Sequence, residues 1–311
     1  MILKIGTRGS RLALAQSQWV KEEIERRHKN INVELIRITT TGDKYLEAPL
    51  SKVGGKGLFV KEIEEALLNK RIHMAVHSMK DVPAELPKGL MLSAFPERED
   101  PHDALISREN LNIDQLPPGS KVGTSSLRRA AQLLHIRPDL KIVSLRGNVD
   151  TRLRKLESGD LQAIILATAG LKRLGLSKLI SHTIPDDKIL PAIGQGALGL
   201  EVRSDDVDTV EILNFLDHEQ TRLTVNAERS FLKELQGGCQ VPIAGFARLF
   251  GTQLCLKGLV AELDGSVAIM DEITGPKTQA VKLGTELARK LLTSGADRIL
   301  EHVYGKGPHA S

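Results

Sequence analysis

Aromatic residues and cysteines are scarce in this sequence of 311 residues. Phe, Trp and Tyr together make up 3% of it, which argues against a protein that binds single-stranded nucleic acid by stacking bases on aromatic rings. The two cysteines, Cys239 and Cys255, belong to no CxxC pair. We therefore expect unpaired thiols in a reducing compartment, with no disulfide framework and no metal site.

Long apolar runs are also missing. No segment approaches the ~18 apolar residues that a membrane-spanning helix needs, and the apolar stretch at residues 1–6 is too short for a signal peptide. We predict a cytoplasmic protein without membrane contact. We see no repeated apolar surface stripe and predict a monomer.

Neither sign of charge predominates. The sequence contains 43 Lys and Arg against 39 Asp and Glu, a formal net charge of +4. This small excess favours a local basic cleft for an acidic small molecule over a nucleic-acid-binding surface. With 41% hydrophobic and 26% charged residues, the composition is typical of a globular protein with two or three domains.

The main positive feature is a recurring unit in which an apolar strand ends in a loop rich in Gly, Ser, Thr and cations, and a helix follows. A series of such units predicts a parallel sheet flanked by helices. The carboxyl ends of parallel strands meet at one edge of the sheet, so these loops are expected to converge on an anionic ligand. Arginines scattered for solubility are the alternative. The loops are at residues 7–10, 124–126, 146–148 and 168–170.

The first loop precedes a helix predicted from Arg11 to about His28. Ser10 suits the N-cap, and Leu12, Ala15, Trp19 and Ile24 are expected on the buried face. With Arg8, this helix start is either an anion site or an ordinary capped turn.

Lys80 and Asp81 follow another short apolar strand, residues 72–76, and precede Val82-Pro83, which ends regular pairing. A Lys-Asp pair at the end of a strand in an α/β protein is either part of a ligand site or a solvated surface pair.

Two glycine-rich segments resemble nucleotide motifs without fulfilling them. Gly55-Lys56 lacks the flanking residues of a phosphate-binding loop, and the polar segment 39–57 around it suits a lid or a disordered linker. Residues 194–199 spell GxGxxG, but Pro191 interrupts the preceding apolar stretch and a strand is expected at 200–203. A glycine hinge is more plausible there than a dinucleotide site.

The C-terminal third predicts a small α+β domain. A helix is expected from about Gln220 to Leu235, and Cys239 follows in a glycine-preceded, sterically open turn. Three strands come next, with a hairpin turn at Asp264-Gly265, and a final helix covers 278–292. Cys255 lies within a strand and is expected to be a packing residue.

In their order, these motifs resemble the porphobilinogen deaminase (hydroxymethylbilane synthase) family of tetrapyrrole biosynthesis. The resemblance covers nearly the whole chain, without departures at the motif positions. The segments that carry it are GTRGSRLAL, VGGKGLFVKEIE, HSMKDVP, EREDPHDA, VGTSSLRR, SLRGNVDTRL, ATAGLKRLG, GQGALGLEVR and GGCQVPIA.

The resemblance implies an α/β fold of two periplasmic-binding-protein-like domains with mixed sheets, followed by a small C-terminal α+β domain. Domain 1 would comprise 1–97 and 197–216, domain 2 would comprise 98–196, and domain 3 would comprise 217–311. The implied enzyme is a transferase that condenses four porphobilinogen molecules head to tail, releasing ammonia, to give hydroxymethylbilane. Its implied cofactor is a dipyrromethane, made from the substrate and attached through a thioether to Cys239.

The family's functional residues carry over in three groups, and no metal is implied. The catalytic residues would be Asp81 and Lys80. The cofactor would be bound by Cys239, Lys80, Asp81, Thr124, Ser125, Ser126, Arg128, Arg129, Arg146 and Gly147. The substrate would be bound by Arg8, Ser10, Lys52, Lys56, Phe59, Arg146, Arg152, Arg173 and Gln195.

These residue types suit the implied chemistry. Each porphobilinogen carries an acetate and a propionate, which the planar and permanently charged arginine fork binds bidentately. A fixed carboxylate such as Asp81 would stabilise the cation left when ammonia departs and could move a proton. His77 is either structural or an acid–base group.

A different class of protein accounts for part of the same pattern. A non-catalytic two-lobe protein that binds an organic anion would explain the strand-end cations and the glycine hinge equally well. It would not explain the Cys239 turn. Porphobilinogen is the one partner that we expect.

Overall fold

The computed structural model describes residues 1–44, 57, 59–237 and 241–305. Their contacts divide the chain into two compact units. The first unit contains the described residues up to Glu99 together with Gly196–Arg222, and the second contains Asp100–Gln195 together with the described residues from Leu223 onward. The division into three domains stays a prediction, since the second unit includes most of the predicted domains 2 and 3.

The strands and helices follow the chain in this order. The strands are β1 Ile2–Thr7, β2 Asn32–Arg37, β3 Met74–Ser78, β4 Leu90–Ala94, β5 Asp103–Ser107, β6 Lys121–Gly123, β7 Lys141–Val143, β8 Ala163–Ala167, β9 His182–Ile184, β10 Leu198–Arg203, β11 Ile243–Phe250, β12 Gln253–Ala261 and β13 Ala268–Pro276. The helices are α1 Arg11–Arg27, α2 Thr41–Lys44, α3 Lys61–Leu68, α4 Leu127–Ile136, α5 Val149–Glu157, α6 Thr168–Arg173, α7 Val207–Leu213, α8 Glu219–Glu234, α9 Ala280–Leu291 and α10 Asp297–Gly305.

The first unit is built on a mixed sheet with the strand order β2-β1-β3-β10-β4. β1 pairs in parallel with β2 and β3, whereas β10 runs antiparallel to β3 and β4. Alternate apolar residues of β1, such as Leu3 and Ile5, are fully buried with Met74 and Leu200 from neighbouring strands. The expected strand after the GxGxxG segment is confirmed as β10, and no helix follows the glycines directly.

Helix α1 confirms the predicted capping and part of the predicted buried face, since Ile24 is fully buried and Leu12 and Ala15 are half-buried. Ser10 has extended backbone angles and its side chain accepts a hydrogen bond from the Ala13 N–H, as an N-cap does. The predicted inward position of Trp19 is wrong, because 42% of this residue is exposed. The buried side of the helix is rotated by one residue, toward Gln16 and Val20, and this lets Gln16 hydrogen-bond Ser78 at the end of β3.

The second unit repeats the topology of the first, with the strand order β7-β6-β8-β5-β9. β6 is parallel to β7 and β8, and the fourth strand, β5, runs antiparallel to both of its neighbours. The α/β class with two mixed sheets is therefore confirmed. The recurring units predicted the three parallel strands but not β5 and β9, which make this sheet mixed.

The C-terminal residues of the second unit form an antiparallel sheet, β11-β12-β13, covered by helices. Phe231 of α8, Leu256 of β12 and Leu287 of α9 are completely buried in its core. The predicted α+β character and the hairpin turn at Asp264-Gly265 are confirmed. The chain continues past the predicted final helix into α10, which the sequence analysis did not predict.

Among the described residues, no helix is both long enough and apolar enough to cross a membrane.

Candidate active site

Lys80 and Asp81 lie in a 3₁₀ turn, Met79–Asp81, directly after β3. The turn is anchored by Met79, which is buried against Gly199 of β10. A Cβ atom at position 199 would come 2.2 Å from the Met79 sulfur, so the last glycine of the GxGxxG segment serves close packing. Lys80 is exposed and Asp81 half-buried. Within the described part of the chain, the Asp81 carboxylate has no hydrogen-bond or ion-pair partner.

A buried ionisable cluster is formed by His77 of β3 and Glu201 of β10, two residues on these neighbouring strands. The His77 Nε2 atom is 2.8 Å from an oxygen of Glu201, and both side chains are almost completely buried. Glu64 of α3 is buried nearby. Its burial raises the pKa of Glu64 to about 7, the Glu201 charge adds to the rise, and His77 partly opposes it. His77 is thus engaged in the core, and sequence reasoning missed both glutamates.

Arg8 and Phe59, two predicted substrate-binding residues of the first unit, are in contact. The Arg8 guanidinium lies 4.3 Å from the centre of the Phe59 ring. It also donates hydrogen bonds to Asp43, with the Arg8 Nη2 atom 2.5 Å from Oδ1. Ser10, two residues further, caps α1. Sequence reasoning missed Asp43. Phe59 precedes α3, which begins at Lys61.

In the second unit, Asp103 at the start of β5 binds two predicted cofactor residues. Its carboxylate is fully buried, 2.8 Å from Nη1 of Arg128 and 2.6 Å from Nη2 of Arg129. These two arginines hold the pKa of Asp103 far below its ordinary value, against the opposing effect of burial. One carboxylate thus faces two guanidinium groups, which leaves an excess of positive charge. The Arg128 Nε atom is buried without a hydrogen-bond acceptor among the described residues.

Further cations lie close to Arg129. Arg152 of α5 is half-buried. Loss of solvation lowers its pKa to about 10, and the nearby charges of Arg129 and Arg146 add to the effect. Its Nε atom donates to the carbonyl of Gly147, 2.9 Å away. Gly147 has a positive φ of 108°, which a glycine adopts without strain. We call Arg128, Arg129, Arg146 and Arg152 the arginine cluster. The structure places these four arginines near one another, and the convergence of the strand-end loops on an anionic ligand stays a prediction.

The hydroxyl residues between β6 and α4 form a tight loop beside this cluster. Ser126 caps α4 by accepting from the Arg129 N–H, and Thr124 accepts from the Ser126 N–H. The Ser125 hydroxyl donates to the carbonyl of Leu145, 2.7 Å away. The loop thus ties the β6 and β7 strand ends together.

The other predicted site residues are more dispersed. Gln195 is buried and donates to Asp103, 2.8 Å away, so it supports the Asp103 carboxylate. Arg173 is half-buried in the last turn of α6. Lys52, Lys56 and Cys239 lie outside the described residues.

The arginine cluster of the second unit can bind a polyanion, and the Met79–Asp81 turn of the first unit offers a carboxylate. Guanidinium groups that lie close together repel one another, and bound anions relieve this repulsion. Each group can bind a carboxylate bidentately. In the described residues, no group of three or more His, Cys, Asp and Glu side chains is arranged to hold a metal ion.

Two family models match the chain. The model described as "Porphobilinogen deaminase, dipyromethane cofactor binding domain" matches residues 3–211. The model described as "Porphobilinogen deaminase, C-terminal domain" matches residues 222–293.

Curated relatives match over nearly the full length. The porphobilinogen deaminase of Syntrophotalea carbinolica is 56% identical over 298 residues, covering 96% of this chain and 95% of the relative. That of Nitratidesulfovibrio vulgaris is 56% identical over 310 residues, covering 98% of each chain.

Similar solved structures include the periplasmic VFT2 domain of BvgS from Bordetella pertussis, with a TM-score of 0.40, 16% identity, and coverage of 68% of this chain and 85% of that domain. The periplasmic aliphatic sulphonate binding protein SsuA from Escherichia coli has a TM-score of 0.41 and 12% identity, with coverage of 76% and 70%.

Proposed function

The chain belongs to the porphobilinogen deaminase family, and from this premise we propose which of its residues perform the reaction. It is a transferase that joins four porphobilinogen molecules head to tail, with release of ammonia, to form hydroxymethylbilane on a dipyrromethane primer. The family match favours this enzyme over a non-catalytic binding protein for organic anions.

The arginine cluster would hold the dipyrromethane. A dipyrromethane built from two porphobilinogen units carries four carboxylates, and its charge suits a cluster in which Arg128 and Arg129 share one buried carboxylate, Asp103. The buried Arg128 Nε atom, which lacks an acceptor among the described residues, fits the same assignment. Thr124, Ser125, Ser126 and Gly147 would line the site. When bound, the group supplies the terminal pyrrole carbon to which substrate is added.

Cys239 would carry the thioether to this cofactor. Its turn, GGCQVP, matches the family's motif, and no base is needed beside a thiol that serves as a permanent tether.

Asp81 would act on the substrate methylene carbon. When the amino group leaves as ammonia, positive charge develops at that carbon, and a carboxylate held in place stabilises it without reorganising. The observation that carries this assignment is the position of Asp81 in a short turn that the buried Met79 side chain fixes against Gly199. Among the described residues, the Asp81 carboxylate has no hydrogen-bond or ion-pair partner. Asp81 could also pass a proton to the departing amine, and Lys80 would assist.

Substrate carboxylates would be bound by Arg8, Ser10, Lys52, Lys56, Arg146, Arg152, Arg173 and Gln195, with Phe59 beside the ring. We also propose that the protein works as a cytoplasmic monomer without nucleic acid.

The activity is tested by incubating the purified protein with porphobilinogen and measuring ammonia and hydroxymethylbilane together. We expect one ammonia for each porphobilinogen consumed. Binding of porphobilinogen without release of ammonia would instead support the organic-anion binding protein.

A further inference from the structure

Asp43 engages Arg8 through one edge of its guanidinium group. The Arg8 Nε atom lies 3.2 and 3.3 Å from the two carboxylate oxygens, and Nη2 lies 2.5 Å from Oδ1. The Nη1 atom has no hydrogen-bond acceptor among the residues that the structure describes. One edge of the fork is therefore occupied, and the other edge is free of described contacts.

The Asp43 carboxylate is itself fixed by its own loop. Thr40, which is fully buried, donates to Oδ2 from its hydroxyl at 2.8 Å and from its backbone N–H at 3.2 Å. Burial alone would raise the pKa of Asp43. The charge of Arg8 and the hydrogen bonds from Arg8 and Thr40 outweigh this effect and keep the pKa below its ordinary value. Because the Asp43 carboxylate is held in place by Thr40, it can fix the orientation of Arg8 and does not move to compete with a substrate carboxylate.

The flat face of the Arg8 guanidinium group packs on the Phe59 ring. The Phe59 ring lies 4.3 Å from the Arg8 Cζ atom, and the ring packs on Gly42, where a Cβ atom would come within 2.2 Å of it. Stacking on an aromatic face and pairing at one edge fix the plane and the rotation of an arginine fork.

We propose that Asp43 is a positioning residue that holds Arg8 by its Nε and Nη2 edge and thereby presents the Nη1 edge to a carboxylate of porphobilinogen. The proposal rests on the assignment of Arg8 to substrate binding. Because Asp43 compensates the charge of Arg8, the orientation of the donors, and not net charge alone, would select a carboxylate at this point.

The test compares Asp43→Asn, Asp43→Glu, Arg8→Ala and the double variant Arg8→Ala/Asp43→Asn in steady-state kinetics with porphobilinogen. For Asp43→Asn we expect KM to rise about tenfold, the effect of weakening one charge-assisted hydrogen bond, with kcat within about threefold of wild type. Asp43→Glu keeps the carboxylate and should give an intermediate KM. The double variant should be no worse than Arg8→Ala, because Asp43 acts through Arg8.

A matched control is available in the other unit. Arg137 and Asp139 form the same edge-on pair, with Nε and Nη2 each 2.7 Å from a carboxylate oxygen. Asp139→Asn should leave KM unchanged.

Two results would contradict different claims. If Arg8→Ala raises KM but Asp43→Asn leaves it unchanged, lowers it, or reduces only kcat, the positioning role is wrong and the assignment of Arg8 stands. If Arg8→Ala leaves KM unchanged, the assignment of Arg8 itself is wrong. Should Asp43→Asn fail to fold by circular dichroism, Asp43→Glu decides, since an unaltered KM in that variant contradicts the positioning role.

Discussion

The carboxylates of the first unit differ in what surrounds them. Asp43 is paired with Arg8, and Glu201 is paired with His77 in the core. Asp81 is half-buried on its turn and lacks a partner among the described residues. A carboxylate without a counter-ion can respond to charge that develops on a substrate, whereas a paired one mainly supports its partner.

Replacing Asp81 by Asn should therefore remove catalysis and leave binding. We expect kcat to fall at least about a hundredfold, the usual scale for losing a charged catalytic group, with an unchanged melting temperature. Ammonia release from porphobilinogen measures this effect. Asp160→Asn, at an exposed carboxylate, is the control, and turnover near the wild-type rate in Asp81→Asn would refute the assignment.

Glu64 makes the stability of the protein depend on pH. Its pKa of about 7 in the folded state exceeds the ordinary value of 4.5. Between these values the unfolded chain loses the proton and the folded chain keeps it, so wild type loses stability as pH rises from 4.5 to 7 and then reaches a plateau.

Glu64→Gln removes this dependence. The variant should match or fall slightly below wild type near pH 4.5 and gain relative to it by up to about 3 kcal/mol above pH 7. Urea unfolding at several pH values measures the difference, with Glu65→Gln on the exposed side of the same helix as the control. A difference that does not vary with pH would contradict the role given to Glu64.

At the scale of elements, the packing of β10 on the Met79 turn connects sequence to site geometry. Gly199 leaves room for Met79, which is 2% exposed. Gly199→Ala should force the Met79 side chain to move, destabilise the protein by about 1–3 kcal/mol, and lower kcat because the Asp81 turn shifts. Denaturant unfolding and turnover are both measured. Gly305→Ala, where a Cβ atom meets no described residue within 4 Å, is the control. Full activity in Gly199→Ala would show that the turn does not depend on this contact.

The start of β5 holds the other critical element contact. Asp103→Asn would leave Arg128 and Arg129 buried without a counter-charge, which typically costs about 3–5 kcal/mol. Chemical denaturation should show this loss, whereas Asp139→Asn at the partly exposed pair should cost much less stability, because solvent screens such an ion pair. Equal losses in the two variants would contradict the importance of burial at Asp103.

Sequence reasoning succeeded where a local pattern decides the structure. The Ser10 cap follows from a hydroxyl residue that precedes a helical segment, and β10 follows from the apolar run after Gly199. It failed where burial depends on a distant partner. Strand β5 begins with Asp103, a residue that favours a loop until Arg128 and Arg129, about 25 residues later in the chain, neutralise it.

The same limit applies to the candidate site. The arginines could be predicted because each follows a strand in a recurring unit. Asp43, Glu64 and Glu201 could not, since nothing near them in the sequence shows that a cation or a histidine lies beside them in the fold. Charged residues are exposed by default, and only tertiary contacts reveal the exceptions.

At the scale of the whole molecule, the account depends on one claim: the chain carries its own pyrrole primer, tethered by sulfur and held by arginines. Each half of that claim belongs to a different part of the chain, the tether to Cys239 and the anion site to the arginine cluster.

The most direct test is the mass of the intact purified protein under denaturing conditions, for wild type and for Cys239→Ser. We predict that wild type exceeds the mass of its polypeptide by one dipyrromethane and that Cys239→Ser does not. Active wild-type protein at the bare polypeptide mass, or an adduct that persists in Cys239→Ser, would contradict the account.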